Sequence, residues 1–202
     1  MRRRLLRYVV ALAATIALAW IALTIYVQRE AIPTVQRTEN GHTRQALVIY
    51  HPSRDSGFTD DLSREVAEAF SNSSLRSTRV SVHSQLSVPR DCAIIAVVAN
   101  TYNWAPDLPT QRFLERADLS GQSVIGLIAG GGSTDRAQRI LEEKLRATGA
   151  RVLAVRPFWL WRPNDESRLN EPNRQVALDM ARKMAQQFGQ EAAGQAVEDN
   201  ER

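Results

Sequence analysis

Residues 92–133, CAIIAVVANTYNWAPDLPTQRFLERADLSGQSVIGLIAGGGS, decide the fold of this 202-residue chain. The stretch contains two short apolar runs, 93–99 and 124–129, and each ends abruptly at a loop of polar, aromatic or glycine residues. Runs this short and this uniformly apolar are typical of strands buried on both faces of a parallel sheet. Because ligands bind outside the carboxyl ends of the strands in such a sheet, the two loops are the first place to expect a site.

Strands and helices alternate along the rest of the soluble part. We predict further strands at residues 46–50, 79–83 and 151–155, and helices at residues 59–70, 109–117, 134–148 and 173–188. Five strands that alternate with helices predict an α/β protein with a parallel sheet and helices on both faces. Residues 189–202 are polar, which predicts a frayed tail.

The first 28 residues form a separate unit. Residues 8–27 contain no charged side chain, and a helix of that length is about 30 Å long, the thickness of a bilayer's hydrocarbon core. Tyr8 and Tyr26 lie near its two ends, where aromatic side chains are common in membrane proteins. The sequence therefore predicts a single-pass membrane anchor. A cleaved signal peptide is the alternative, although its apolar region is usually only about 7–15 residues long.

The charges around this span predict its orientation. Four arginines lie within residues 1–7, whereas Arg29 and Arg37 follow the span. The positive-inside rule then places the amino terminus in the cytoplasm and the soluble part on the outer, periplasmic or extracytoplasmic, side. Arg2 and Arg3, followed by leucines, also resemble a twin-arginine export signal, so orientation and export both stay open as their role. Residues 29–44 are polar and predict a linker between membrane and domain.

Bulk charge and cysteine content exclude several classes of function. The chain has 26 basic and 22 acidic residues, and the net charge of +4 equals the four arginines before the span. The soluble part is therefore neutral, which argues against binding to nucleic acid. The single cysteine, Cys92, heads an apolar strand and is expected to be a small buried residue. The three histidines show no metal-ligand spacing; His51 lies at a strand end, where it could touch a site, but we expect it to be solvated.

One candidate binding loop follows the first predicted strand. Residues 54–59 offer the hydroxyls of Ser56 and Thr59, with Gly57 between them, beside the amino terminus of a predicted helix. Backbone N–H groups and a partial positive charge at such a terminus favour a phosphate group. A simple capped loop would use the same residue types.

Two further loops would meet the first at the same edge of the sheet. One presents two aromatic side chains beside amide and hydroxyl groups, which suits a planar heteroaromatic ring. The other is a run of glycines, which lets the backbone pass flat against a ligand. An aromatic loop packed on its own domain and a tight turn are the structural alternatives. The two loops comprise Asn100, Thr101, Tyr102, Asn103 and Trp104, and Gly130, Gly131, Gly132 and Ser133.

Taken together, the order and spacing of these loops resemble the flavodoxin-like family, which binds FMN. The resemblance covers residues 46–188. In that family the first loop reads S/T-x-T-G-N-T and holds the FMN phosphate. Ser56, Gly57, Phe58 and Thr59 stand at its last four positions here, whereas Arg54 replaces the usual hydroxyl residue and Phe58 replaces the usual Asn.

The resemblance implies a doubly wound, five-stranded parallel sheet in the order 2-1-3-4-5 and an FMN site. Within that site the loop 54–59 would hold the phosphate, Tyr102 and Trp104 would stack on the flavin, and residues 101–104 and 130–132 would surround it. A membrane-anchored redox protein would transfer electrons, or reduce a quinone-like acceptor with NAD(P)H, and a quinone or a redox protein would be its partner. The alternative is a domain without FMN that acts as a membrane-tethered binding module, which Arg54 and Phe58 favour.

The segment PFWLWRPND, residues 157–165, is rich in aromatic side chains and follows the last predicted strand. Four roles stay open for it. It could cover a flavin, join two copies of the chain in a homodimer, rest on the membrane, or simply pack against the edge strand.

Overall fold

The structure, a computed structural model of the chain, describes residues 2–38, 44–54 and 56–200. The elements follow one another in the order α1 (Arg2–Val27), β1 (Val35–Arg37), β2 (Gln45–Tyr50), α2 (Phe58–Asn72), β3 (Arg76–Ser81), β4 (Cys92–Tyr102), β5 (Ala105–Pro106), α3 (Leu108–Leu114), β6 (Ser123–Gly130), α4 (Asp135–Ala147), β7 (Arg151–Trp159), a 3₁₀ turn (Glu166–Arg168) and α5 (Asn173–Asn200).

A seven-stranded sheet lies at the centre, in the order β1-β3-β2-β4-β6-β7, with β5 paired to β4. The five strands from β3 to β7 along this path are parallel. Numbered as the five predicted strands, they follow the order 2-1-3-4-5, so the predicted topology is confirmed. Residues 94–99 of β4, the middle strand, have no exposed surface, because helices cover both faces of a parallel sheet.

Two helices cover each face of the sheet. Phe70 of α2 and Met184 of α5 belong to the apolar cluster on one face. Phe113 of α3 and Leu141 of α4 belong to the cluster on the other face. The helix α4 ends where the sequence predicts, at Gly149, whose φ of +80° is a left-handed conformation that glycine adopts without strain.

The expected alternation of strand and helix is wrong at one crossover. Between β3 and β4, residues 82–91 contain no helix. This segment is only ten residues long and contains Pro89, which cannot donate a backbone hydrogen bond. The last strand also differs, because β7 continues to Trp159 instead of ending at residue 155.

The segment that we expected to be a free linker is bonded to the domain. Strand β1 pairs antiparallel with β3, so it supplies partners for backbone groups that would otherwise stay open at the sheet edge. Just before β1, the Ser81 hydroxyl donates to Ile32 O at 3.0 Å and accepts from Thr34 N at 2.8 Å. Residues 39–43, including His42, lie outside the described part of the chain.

The expected frayed tail is helical as far as Asn200. Residues 190–197 consist mainly of Gln, Glu and Ala, which favour helix. The first part of this extension packs on the domain, since Ala192 is buried and its carbonyl accepts a hydrogen bond from Arg44 Nη1 at 2.9 Å. The domain therefore extends beyond residue 188.

Helix α1 contains a 22-residue stretch, Leu6–Val27, with a mean hydropathy of 2.2. It is long and apolar enough to cross a membrane, and a signal sequence near the amino terminus would meet the same criteria. Most of the described side chains of α1 are exposed, but Val27 at its end is buried.

Cys92 is buried, as expected, and burial together with the charge of Asp91 raises the pKa of its thiol to about 11. We therefore expect the native protein at pH 8 to react with Ellman's reagent about 100-fold more slowly than the urea-unfolded chain, whose thiol has a pKa near 8.5. The rates are followed by absorbance at equal pH. Equal rates in the two states would contradict a buried, protonated thiol.

Candidate functional site

A cavity of about 470 Å³ lies at the carboxyl edge of the sheet. This volume is within the usual range of roughly 300–1,000 Å³ for small-molecule sites. The walls come from the loops after β2, β4, β6 and β7 and from the end of α1. They are formed by Trp20, Leu23, Thr24, Val27, Ser53, Ser56, Phe58, Asn100, Thr101, Tyr102, Asn103, Ala129, Gly130, Gly131, Leu160 and Trp161.

The predicted phosphate loop forms one wall. Ser53 and Ser56 line the cavity, and their hydroxyl oxygens are 3.2 Å apart. Gly57 has a φ of +64°, which lets the chain turn sharply into α2. The Asp60 carboxylate, in the first turn of α2, accepts a hydrogen bond from Ser53 N at 3.1 Å. A carboxylate therefore already accepts one of the backbone N–H groups of this loop. Residue 55 of the same loop lies outside the described part of the chain.

Two arginines flank the loop, and only one of them was predicted. Arg54 turns toward α1: its guanidinium carbon lies 5.2 Å from the centre of the Tyr26 ring. Arg174 of α5 donates to Ser56 O at 3.0 Å and forms an ion pair with Asp61. The sequence around Arg174 does not predict its contact with this loop, because α5 and the loop after β2 are distant in sequence and meet only in the folded protein.

Behind the cavity lies a buried polar network. The Thr59 hydroxyl donates to Asn100 Oδ1, so this predicted phosphate ligand is engaged inside the domain. Asn100 Nδ2 donates to His51 O at 2.8 Å, and Asn100 N donates to Asp107 Oδ2 at 2.9 Å. The network ties the ends of β2 and β4 together at the floor of the site.

His51 is fully buried, so the expectation that it is solvated is wrong. Its Nε2 lies 2.9 Å from Arg29 O, and since a carbonyl only accepts, Nε2 carries the hydrogen. Its Nδ1 lies 3.5 Å from Asp107 Oδ1. His51 therefore joins the segment after α1 to the floor of the site. Its place at a strand end was the only signal in the sequence for this role.

The loop after β4 divides the predicted aromatic pair. Tyr102 lines the cavity, whereas Trp104 is 61% exposed and is not among the described cavity walls. Asn103 and Trp104 have φ values of 51° and 58°, in the left-handed region that asparagine adopts readily but that is unusual for a side chain as large as tryptophan. Strand β5 closes the turn by pairing Ala105 with Tyr102. The turn directs the Tyr102 ring to the cavity and leaves the Trp104 ring exposed to solvent.

The glycine loop after β6 packs against the segment that follows β7. Leu160 N and Trp161 N donate to Gly130 O and Gly131 O at 3.0 and 2.9 Å. A Cβ at position 131 would lie 2.6 Å from the indole ring of Trp161, so only glycine allows this approach. Gly132 lies beside Arg162 and not in the cavity wall. Trp161 is thus a second aromatic side chain at the mouth of the cavity, where 86% of its surface is exposed, so its position fits both covering the cavity and resting on a membrane.

A flavin fits the ring end of this cavity better than the phosphate end. The ring end offers Tyr102, Trp161 and the buried Thr101 hydroxyl, which has no hydrogen-bond partner among the described residues. The phosphate end offers the hydroxyls of Ser53 and Ser56, but the carboxylate of Asp60 beside the same loop would repel the negative charge of a phosphate. Among the described residues there is no group of three His, Cys, Asp or Glu side chains that could hold a metal ion.

No protein-family model and no curated protein match the chain. Solved structures match it at low sequence identity. A flavodoxin from the domain Archaea is 17% identical, with a TM-score of 0.52, and the match covers 71% of this chain and 98% of that one. The NAD(P)H:quinone oxidoreductase from Methanothermobacter marburgensis is 13% identical, with a TM-score of 0.52 and coverage of 71% and 98%. An azoreductase from Bacillus anthracis is 8% identical, with a TM-score of 0.55 and coverage of 72% and 100%.

These likenesses agree with the strand order of the sheet. The chain has a flavodoxin-like fold, to which one long apolar helix is added at the amino terminus.

Proposed function

We propose that this flavodoxin-like chain is a membrane-anchored protein that binds FMN and transfers electrons. The cavity at the carboxyl edge of the sheet carries this proposal, because a flavin would meet two aromatic walls, Tyr102 and Trp161, and a buried hydroxyl at Thr101. The matched quinone oxidoreductase and azoreductase, which share the fold, are consistent with redox chemistry.

Each part of the cofactor has candidate partners in the chain. Tyr102 and Trp161 would hold the flavin ring between them, and Asn103 would contact its polar edge. Ser53, Ser56 and the backbone at the start of α2 would bind the phosphate. When bound, the flavin supplies the one- or two-electron chemistry, while the protein supplies orientation and exclusion of water.

The acceptor that we propose is quinone-like, and NAD(P)H or a redox protein would be the donor. A lipid-soluble quinone would be within reach of a protein held at the membrane by α1. We propose that the amino terminus is cytoplasmic and that the domain lies on the outer side. Retention of α1 is supported by contacts at its end: Val27 is buried, and the next residue, Gln28, accepts a hydrogen bond from Leu108 N through its Oε1 at 2.6 Å.

We expect the full-length protein, purified in detergent, to be yellow and to release FMN on denaturation. Titration of FMN into the apoprotein, followed by quenching of flavin fluorescence, should show Tyr102→Ala binding roughly tenfold or more weakly, because a stacking aromatic is lost. Tyr8→Ala, which changes the same residue type at the far end of α1, is the matched control. A colourless protein that takes up no FMN would contradict the proposal. NAD(P)H-dependent quinone reduction by the same preparation separates a reductase from an electron carrier.

A second candidate function is a membrane-tethered binding module without FMN. The loop after β2 favours it, because the Thr59 hydroxyl is engaged by Asn100 and the Asp60 carboxylate accepts the Ser53 N–H. Failure to bind FMN by a folded protein would select this candidate.

A further inference from the structure

We propose that the carboxyl edge of the sheet rests on the lipid headgroup layer, with Trp104, Leu108 and Trp161 in contact with phospholipid. The partner is the bilayer that α1 would cross, so this inference rests on the proposed anchoring. The surface is made of loops that follow β4 and β7, beside the end of α1. We call it the membrane edge.

The chain between α1 and the domain holds this edge in one orientation. Gln28 Oε1 accepts from Leu108 N, Arg29 O accepts from His51 Nε2, and Glu30 O accepts from Arg54 Nη2 at 3.3 Å. These contacts tie three successive residues to the loops after β2 and β4. A flexible tether would let the domain turn freely, whereas this segment directs the carboxyl edge toward the end of α1.

The cavity itself places the membrane edge at the bilayer surface. Trp20, Leu23 and Val27 of α1 line it together with Trp161 of the domain. Trp20 lies seven residues before the end of the apolar stretch Leu6–Val27, which corresponds to about 10 Å along a helix. These two turns are the end of the span nearest the domain, so in this proposal the domain residues that share their cavity lie next to lipid.

Exposed apolar side chains are concentrated at this edge. Among the residues from 44 to 194 whose side chains the structure describes, only four large apolar side chains are exposed, and all four lie in the segments that follow β4 and β7. They are Trp104 (61%), Leu108 (41%), Trp161 (86%) and Leu169 (65%). Tryptophan prefers the interface of a membrane, because its ring is apolar and its N–H can stay hydrated.

Cations accompany these aromatic side chains. Arg54 and Arg162 are both exposed, and each guanidinium lies over an aromatic ring, at 5.2 Å from Tyr26 and 4.5 Å from Trp159. Cations at the level of the headgroups are attracted to anionic phospholipid. The cavity mouth would then face the bilayer, and a lipid-dissolved acceptor would reach it without crossing water.

Quenching by brominated lipids tests the proposal on full-length protein. Four variants each keep one of the tryptophans, Trp20, Trp104, Trp159 or Trp161, with phenylalanine at the other three positions. They are reconstituted into vesicles of phosphatidylcholine and phosphatidylglycerol, brominated either near the headgroup or deep in the acyl chains. We expect shallow bromine to quench Trp104 and Trp161 about twofold or more, and more strongly than deep bromine. Trp159, which is partly buried and whose indole N–H donates to Thr134 inside the domain, should be quenched less than either of them.

Trp20 reports on the anchor independently. If Trp20 is quenched while Trp104 and Trp161 are not, the domain does not rest on the bilayer, although the anchor stands. If Trp20 is not quenched either, both proposals are overturned, while FMN binding in detergent is still measured separately. Hydrogen exchange of the wild-type protein needs no substitution: residues 103–108 should exchange more slowly in lipid nanodiscs than in detergent, and residues 118–122, at the opposite edge, should not. Equal exchange of residues 103–108 in both media would overturn the proposal.

Discussion

Asp107→Ala is expected to lower the free energy of unfolding by about 3–5 kcal/mol. The Asp107 side chain is fully buried, and its carboxylate accepts hydrogen bonds from Asn100 N and Thr110 N, each at 2.9 Å. The second of these bonds caps helix α3. Alanine would leave two buried N–H groups without partners, each at a cost of about 1–3 kcal/mol. It would also remove the carboxylate that lies 3.5 Å from His51 Nδ1.

The measurement is denaturant unfolding of the domain in detergent solution, followed by near-ultraviolet circular dichroism. Asp118→Ala is the matched control: its exposed carboxylate also accepts a backbone N–H, from Ser120 at 3.1 Å, and its loss should cost less than about 1 kcal/mol. Asp107→Asn should lie between the two, because its amide keeps one acceptor oxygen but turns a donor toward the second N–H. Equal losses of unfolding free energy for Asp107→Ala and Asp118→Ala would show that the buried network stabilises the fold no more than an exposed hydrogen bond does.

The sequence could not show how His51 and Asn100 are joined, although His51 follows a predicted strand and Asn100 belongs to a predicted binding loop. A buried polar side chain leaves no pattern in sequence, since its neighbours along the chain do not supply its partners. His51 contacts Arg29 on one side and Asp107 on the other. Those partners are set by how the ends of β2 and β4 meet, which depends on the whole sheet.

The sheet itself could be predicted because its signal is local. Residues 93–99 and 124–129 are apolar throughout, and burial on both faces is what such runs require. The resemblance added the strand order. Gly130 and Gly131 were expected to let the backbone pass close to a ligand, and the group that approaches Gly131 in the structure was not predicted. It is Trp161 of this chain, which reaches Gly131 only because the segment after β7 folds back over the loop.

The linker and the tail were missed for a related reason. Polar composition at residues 29–44 and 189–202 favours solvent exposure. It does not exclude a strand or a helix that is stabilised by contacts with another part of the fold. Strand β1 depends on the open edge of β3, and the end of α5 depends in part on the contact between Arg44 and Ala192. Both partners are distant in sequence.

Asn173→Ala is expected to cost about 2–4 kcal/mol and to release the wall that carries Trp161. Asn173 Nδ2 lies 2.8–3.0 Å from the carbonyl oxygens of Trp159, Leu160 and Arg162, and its Oδ1 accepts from the backbone and side chain of Asn164. One amide thus holds the segment after β7 closed from both sides. Without it, only the backbone bonds of Leu160 N to Gly130 O and of Trp161 N to Gly131 O hold this part of the segment against the glycine loop.

The isosteric change Asn173→Asp separates shape from hydrogen bonding. A carboxylate keeps the oxygen that faces Asn164, but it turns a second acceptor toward three carbonyls, so at neutral pH the loss should equal or exceed that of alanine. Asn170→Ala, at an exposed position nearby, should change stability by less than about 0.5 kcal/mol. Denaturant unfolding measures the stability, and limited proteolysis within residues 160–165 reports the release of the segment. If Asn173→Asp is as stable as the wild type and resists proteolysis there, the segment is held by packing of its apolar side chains and not by this amide.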